Sequence, residues 1–478
     1  MALSDHRAGL TTRRPATRRI VASAVLLFLA ITCLDSAALW RTRDRHLGIS
    51  EDHFDKGVLL YQTGSLSPDQ IPMIFRPPGF PVFVAGTLKL SEAGRAVVAA
   101  LIRRPAPRVG FRVAVLIAHA ALMGLIGVAL FVFLARRTGS PIAIMAGVAV
   151  ACSPILLVVA TQVSYPLLHV AVLVLASLVL LHAIDRESPG APPVFGSGLL
   201  WGLATLVKPV TLVTPIFVAL WAWPHLGVKR ALATTVVFTL GLIAVVTPYT
   251  IRNYVETGRF IPVNQQASFA LWATSLQRIA PTQDYLNWVE LWFQSGMRTY
   301  TDVTGEQAYL PRAYEDHLLE LSDRFETMAW ANVREHPAVY PYNVFHNAFE
   351  FVVDSPARFW FADYFGRGRL QTPLGQFLAQ VSLWILTVAS AVGIGIGCLR
   401  RNRQATMLLA LYALMWASHS LTFLEARYLY VKLPTIFIGF ALAVRAFSGP
   451  PALSARHRTA LILPAGAAVV ALAGLFLI

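Results

Sequence analysis

The chain has 478 residues, 56% of them hydrophobic and 14% charged, with a mean hydropathy of +0.58. That composition excludes a soluble globular enzyme and marks a polytopic membrane protein, since long apolar runs follow one another with few charges inside them. The net charge of +15 does not imply nucleic acid, because the arginines and lysines cluster in short connectors beside the apolar runs, where they set membrane orientation.

Arg7, Arg13, Arg14, Arg18 and Arg19 precede the first apolar run, Ile20 to Trp40. The run is long, has no convincing small-residue cleavage site and ends on Trp40-Arg41, so it reads as an uncleaved span with a cytoplasmic N-terminus. A polar loop follows, Arg41 to Gly110, carrying Glu51, Asp52 and Asp55 and then Phe75-Arg76-Pro77-Pro78-Gly79-Phe80-Pro81. Spans are predicted at Phe111 to Ala135, Pro141 to Ala160 and Pro166 to Ile184. Phe195 to Trp223 is too short for two spans and contains Lys208-Pro209. Proline removes a helix hydrogen bond and disfavours helix in the residue before it, which predicts two half-length helices meeting at a polar tip. Val228 to Tyr249 is the next span.

The segment from Thr250 to about Pro373 has a different texture, rich in aromatics such as Trp288, Trp292, Tyr300, Tyr309 and Tyr314. Its part from Glu315 to Asp354 has helical apolar spacing broken at Pro337 and Pro341, the pattern of a small helical subdomain. The aromatics suit sugar stacking and, more commonly, interface anchoring. Spans are then predicted at Gln376 to Leu399, Thr406 to Phe423, Tyr428 to Ala446 and Thr459 to Ile478. The expected fold is an all-α polytopic bundle of about 10 to 11 transmembrane or half-length helices. It divides into a cytoplasmic basic tail (1–19), an N-terminal transmembrane module (20–250) that includes the first outer loop (41–110), an outer aromatic segment (251–375) and C-terminal transmembrane helices (376–478).

The basic connectors Arg136-Arg137, Lys229-Arg230, Arg400 to Arg403 and Arg456 to Arg458 are expected on the cytoplasmic side. Counting crossings then puts Glu51, Asp52, Asp55, Arg76, Lys208, Arg252, Glu425 and Arg427 at the outer ends of spans, together with a bend near Thr161 to Ser164. Charges at membrane depth are costly, so a group of them on one face is a candidate site; the competing reading is snorkelling or interhelical ion pairing. Asp35 reads equally as a buried acid or as a helix-end polar group.

Cys33, Cys152 and Cys398 fall inside predicted spans with no CxxC spacing, which speaks against disulfide or metal roles. There is no GxxxxGK[ST], HExxH, GxSxG or strand-bound GxGxxG. Gly393, Gly395 and Gly397 alternate within a span and point to close helix packing. His53 reads as a lone surface histidine, neither ligand nor base, and no DxD accompanies Asp52 and Asp55, so a divalent cation is not supported and no cofactor is expected.

Four stretches, Tyr61 to Gly86 (YQTGSLSPDQIPMIFRPPGFPVFVAG), Gly198 to Pro215 (GLLWGLATLVKPVTLVTP), Thr247 to Trp272 (TPYTIRNYVETGRFIPVNQQASFALW) and Glu425 to Pro434 (EARYLYVKLP), share order and spacing with a known group. The chain resembles the polyprenyl-phosphate-sugar glycosyltransferases of the GT-C fold, the broad set of glycosyltransferase family 39, aminoarabinose transferases and mannosyltransferase-like bacterial proteins. The resemblance implies a multi-pass enzyme of the inner (plasma) membrane whose outer cavity takes a polyprenyl-phosphate-linked sugar and a lipid, glycan or protein acceptor. It also implies a general-base aspartate early in the first outer loop. Such transfer requires a carboxylate to take the acceptor's proton and cations to meet the departing phosphate. Asp52 is the first choice of base, with Glu51 and Asp55 as alternatives; Arg76, Lys208, Arg252 and Arg427 are candidate phosphate ligands, with Glu425 orienting Arg427. Aligning Gly57 to the family's small residue puts Ile49 in the aspartate slot and His53 in the tyrosine slot, so the acid is displaced in register. Where relatives carry Ser-Glu at the fourth span this chain has Ser164-Tyr165-Pro166. A transporter or flippase of lipid-linked substrates is the alternative that the broken helix also permits, and a non-catalytic GT-C-like envelope protein is a third.

Overall fold

The computed structural model describes residues 13–40, 51–66, 74, 76–102, 110–185, 189–276, 318–353, 373–422 and 426–448, and among them there is no strand. Seven helical segments are long and apolar enough to cross a membrane: Thr17–Trp40, Phe111–Ala135, Pro166–Ile184, Pro209–Leu226, Val228–Thr257, Phe377–Leu399 and Tyr428–Phe447. They belong to α1 (Arg13–Trp40), α4 (Phe111–Thr138), α7 (Pro166–Ile184), α9 (Thr214–Leu226), α10 (Val228–Thr257), α14 (Pro373–Leu399) and α16 (Leu433–Ser448). Between them lie α2 (Glu51–Thr63), α3 (Gly79–Ile102), α5 (Ser140–Ala151), α6 (Pro154–Thr161), α8 (Ala191–Val207), α11 (Ala267–Leu276), α12 (Leu318–Glu335), α13 (Val339–Val353) and α15 (Arg403–Ser420).

The centre is set by hydrophobicity. α7 is apolar on every side, which a helix can be only where other helices surround it. It is enclosed by α4, α8, α15 and α16, while α1 lies at the rim against α4. Short side chains set the closest approaches. A Cβ on Gly198 would run into the Phe238 carbonyl oxygen, one on Gly202 would stand 2.8 Å from the Leu242 carbonyl oxygen, and one on Gly241 would meet Phe195. Gly198 and Gly202 are four residues apart on one face of α8, so α8 and α10 pack backbone to backbone. On α14, Gly393 fits against Ala443 and Gly439 of α16 and Gly397 against Ala405, whereas Gly395 faces open space. Spacing explains the difference, since residues two apart point to opposite sides of a helix and only the i, i+4 pair shares a face.

Two breaks interrupt the bundle, each at a proline. The predicted span Pro141 to Ala160 is two helices, α5 and α6, bent by 44°. Ser153 is extended (φ −66°, ψ 139°) because Pro154 follows it. Lys208 is extended (φ −149°, ψ 119°) ahead of Pro209, and a 3₁₀ turn, Pro209–Val213, leads into α9. The threonine hydroxyls of this turn occupy the backbone groups that the break exposes: Thr211 donates to the Lys208 carbonyl at 3.2 Å and Thr214 to the Thr211 carbonyl at 2.6 Å. Thr205 and Thr211 hydroxyls meet at 2.9 Å. Interrupted helices persist at membrane depth only with such substitutes.

The structure corrects the reading of residues 41–110 as a polar loop: α2 and α3 lie within it. α3 buries Phe80, Val84 and Leu88 but carries Lys89, Glu92 and Arg95 in its middle, and these charges hid a 24-residue helix from a hydropathy reading. The span expected to start at Thr406 begins at Arg403, where the Asn402 side chain accepts from the backbone N–H of Gln404 (2.8 Å) and Ala405 (3.2 Å). The span expected to start at Tyr428 opens as a 3₁₀ turn, Ala426–Lys432, before α16. The predicted span Thr459 to Ile478 and the residues Trp288, Trp292, Tyr300, Tyr309 and Tyr314 lie outside the described residues.

Glycine packing gives a direct test of the bundle. Gly198→Leu is expected to lower thermal stability in detergent by about 1–3 kcal/mol, the usual cost of overpacking, while Gly395→Leu leaves the melting curve unchanged; equal melting of the two variants would contradict the α8–α10 contact.

Candidate active site

The ammonium of Lys208 stands where α8 ends and is enclosed by aromatic rings. Its Nζ lies 3.8 Å from the centroid of Tyr428, 5.4 Å from Tyr430 and 5.9 Å from Tyr165. Tyr165 precedes α7, and Tyr428 and Tyr430 belong to the 3₁₀ turn before α16, so two chain segments distant in sequence converge on one cation. Ring faces stabilise an ammonium by about 0.5–2 kcal/mol each without cancelling its charge.

The Pro-Pro-Gly turn abuts the same helix end. A Cβ on Gly79 would stand 2.8 Å from the Leu206 carbonyl oxygen and 2.7 Å from the Val207 side chain, so only glycine lets this turn settle on the last turn of α8. Arg76, half-buried, opens that turn three residues earlier. α2 packs alongside: a Cβ on Gly57 would overlap Val84 of α3, and the His53 ring lies 4.8 Å from the Tyr165 ring. Tyr165 is thus shared by the start of α2 and by Lys208.

Arg252, near the end of α10, reaches the first loop. Its guanidinium donates to the Leu66 carbonyl at 3.0 Å and to the Asn253 side-chain oxygen at 3.0 Å, and lies 5.5 Å from the Tyr249 ring. The Gln265 N–H donates to the Ile74 carbonyl at 2.9 Å, and Asn253 donates to the Ile261 and Val263 carbonyls at 3.0 and 3.2 Å. The stretch Thr247 to Trp272 is thereby pinned to the residues just before Arg76. Further out, the exposed pair Arg259–Asp323 (2.8 Å) links this loop to α12, and the carboxylate raises the guanidinium's pKa above its ordinary value.

Of the residues singled out from sequence, Arg76, Lys208 and Arg252 are carried by segments that meet at this end. Asp55 is half-buried on α2. Glu51 and Asp52 form the first turn of α2, with side chains outside the described residues; so is the side chain of Arg427, whose backbone is in the 3₁₀ turn, and Glu425 lies outside altogether. Asp35 is a buried acid within α1, not a helix-end group. His53 is corrected: it is buried, not on the surface. Sequence reasoning passed over Lys56, a fully buried lysine next to Asp55, and the tyrosines around Lys208. The YLY of EARYLYVKLP and the Tyr of Ser164-Tyr165-Pro166 were in view, but nothing in one dimension joins them to Lys208. Among the described residues no three His, Cys, Asp or Glu side chains are grouped to hold a metal ion.

Residues 95–251, which include Lys208, match the family model described as dolichyl-phosphate-mannose-protein mannosyltransferase. No curated protein matches the chain significantly. Among solved structures, the oligosaccharyltransferase of Archaeoglobus fulgidus in its apo form is 13% identical at a TM-score of 0.52, over 98% of this chain and 56% of that one. The same enzyme tethered to an acceptor peptide is 12% identical at a TM-score of 0.50, over 94% of this chain and 54% of that one. ArnT from Cupriavidus metallidurans bound to undecaprenyl phosphate is 13% identical over 89% of this chain and 77% of that one, at a TM-score of 0.36. The chain spans about half the length of the archaeal enzyme, and at such identity the likeness concerns the fold. With the helical architecture of the described residues, the apolar spans and the likeness to the archaeal enzyme taken together, the chain has the GT-C fold of membrane glycosyltransferases.

Proposed function

We propose that the chain is an integral membrane glycosyltransferase that moves one sugar from a polyprenyl-phosphate donor to a lipid, glycan or protein acceptor at the Lys208 end of the bundle. The observation that carries this reading is the convergence there of Lys208 in its tyrosine enclosure, the turn that follows Arg76, the loop held by Arg252 and the acidic start of α2. A phosphate needs cations and a hydroxyl nucleophile needs a base, and residues of both types lie on these segments. The match of residues 95–251 to a family acting on dolichyl-phosphate-mannose supports the donor class.

In the step, the acceptor hydroxyl oxygen attacks the anomeric carbon and its proton passes to a carboxylate. The bond from that carbon to the phosphate oxygen breaks, and the polyprenyl phosphate leaves with the electron pair. Lys208, Arg76 and Arg252 meet the charge that develops on it, with Arg427 as a further candidate; Glu425 would orient Arg427. Asp52 is the base we favour. It stands in the first turn of α2; Glu51 and Asp55 are the alternatives on the same helix.

The opposite end of the bundle supports an extracytoplasmic site. Arg403 donates to the His225 carbonyl (3.5 Å) and Arg445 to Gln404 (2.6 Å), close to Lys229, Arg230, Arg400 and Arg401. Such a basic rim belongs on the cytoplasmic side of a plasma membrane.

Protein reconstituted in vesicles with polyprenyl-phosphate hexoses and pentoses is expected to transfer one of them. Asp52→Asn is expected to lower the rate by about 10²–10⁴ and Lys208→Met by about 10²–10³, with Arg400→Gln unchanged. No transfer with any donor, together with identical envelope glycolipid and glycan mass spectra in cells with and without the protein, would refute the assignment. Should Asp52→Asn retain full rate, the base is assigned by whichever of Glu51→Gln and Asp55→Asn abolishes it.

A further inference from the structure

α12 and α13 follow one another in the chain and turn opposite chemistries outward. On α12, Phe325 and Ala329 are buried against Trp272 of α11, while Asp323, Glu326, Thr327, Arg334 and Glu335 are exposed together with Trp330. Asp323 pairs with Arg259 at 2.8 Å in the open. A helix at the edge of water is built this way, apolar side in and charges out.

α13 is inverted. Tyr342, Phe345, Phe349 and Val352, spaced three, four and three residues apart, form one stripe and are 55 to 74% exposed. The opposite side buries Asn343 and Asn347 completely, one turn apart, and then Phe351. Asn343 donates from its amide to the Thr274 carbonyl at 2.6 Å, and Asn347 to the Thr422 carbonyl at 2.9 Å. Amides inward and aromatic rings outward is the arrangement that water opposes, and a contiguous apolar stripe on a surface marks contact with another apolar phase. Along one edge of the stripe His346 and Glu350, both half-buried, pair at 3.4 Å. A polar edge beside an apolar stripe suits a helix lying at the level of lipid headgroups.

The contacts of α13 fix its depth. The Trp416 indole N–H donates to the Ala348 carbonyl at 3.1 Å, the Tyr340 hydroxyl to the Leu421 carbonyl at 2.9 Å, and Lys432 Nζ to the Phe351 carbonyl at 2.9 Å. Trp416 is four residues before the end of α15, about 6 Å at 1.5 Å per residue, and Lys432 ends the turn before α16. α13 therefore lies across the ends of α15 and α16, level with the last turn of α15 and not beyond it. Leu409 and Trp416, seven residues apart, share an exposed face of α15, so the stripe on α13 continues the apolar outer surface of the bundle.

We propose that α13 is immersed in the bilayer leaflet at the Lys208 end of the bundle, its aromatic stripe among phospholipid acyl chains, while α12 stands in water. The turn at 336–338 then crosses the membrane surface. Through Lys432, lipid bears on the turn that carries Tyr428 and Tyr430, and so on the enclosure of Lys208.

The test uses the unmodified protein in phospholipid vesicles that include a phosphatidylcholine with a diazirine in its acyl chain, with the adducts formed on illumination located by mass spectrometry. Phe345, Phe349 and Val352 are expected to be labelled as heavily as Leu409, and Asp323, Glu326 and Thr327 about tenfold less. A water-soluble diazirine should reverse that pattern. In the same vesicles the double variant Phe345→Asp/Phe349→Asp is expected to melt at a lower temperature, whereas Glu326→Gln melts as the unmodified protein does. The proposal is overturned if the water-soluble reagent labels the stripe, or if the paired aspartates leave melting unchanged, since either result puts the stripe in water. Labelling by neither reagent also overturns it, because another segment of this chain or a second copy would then cover the stripe.

Discussion

Lys208 is extended because Pro209 follows it, and that single backbone constraint organises the site end of the bundle. A continuous helix through residues 191–226 would bury the lysine in a lattice of i→i−4 bonds and point its side chain at whichever neighbour the helical register dictated. The break instead ends α8 and leaves the ammonium at a tip where three tyrosines from two other segments enclose it. Removing an ammonium from water costs several kcal/mol, and ring quadrupoles at about 0.5–2 kcal/mol each offset part of that. The threonine hydroxyls of the 3₁₀ turn keep the break itself from adding exposed carbonyls to the cost.

The rest of the site is arranged around this tip by close packing. Gly79 lets the Pro-Pro turn lie on the last turn of α8, and Gly198 and Gly202 hold α8 on α10. α10 therefore delivers Arg252 to the first loop at a fixed height relative to Lys208. Each of these contacts depends on a side chain that is missing, so the distances among the cations are set by backbones in van der Waals contact and not by flexible connectors. That rigidity is what an arrangement of fixed charges requires if it is to meet a phosphate without reorganising.

Helix boundaries were largely legible in one dimension because apolar length and proline leave strong marks. Pro166 to Ile184 and the Lys208-Pro209 break stand where the sequence puts them. The failures share one cause. α3 was read as loop because Lys89, Glu92 and Arg95 dilute its hydropathy, although its Phe80, Val84, Leu88 face is buried. His53 lies among the acidic residues Glu51, Asp52 and Asp55 in the sequence, yet it is buried with its ring against Tyr165. Composition averages over the faces of a helix, and burial is decided face by face. The tyrosine enclosure was illegible for a different reason: Tyr165 and Tyr430 are separated by more than half the chain, and only the packing of α7 against the turn before α16 brings them to one lysine.

The pairing of α7 with the 3₁₀ turn also links the segments around Lys208. α7 enters the bundle at Tyr165, beside Lys208, and one turn further it presents His169 to Tyr430. Tyr165 packs on the Lys208 ammonium and on the His53 ring, and Tyr430 offers its ring to the same ammonium and its hydroxyl to His169. The two tyrosines therefore tie α2, the end of α8, α7 and the turn before α16 to one another. A change in the position of any one of these segments is felt by the other three, because close-packed side chains transmit displacement and do not absorb it.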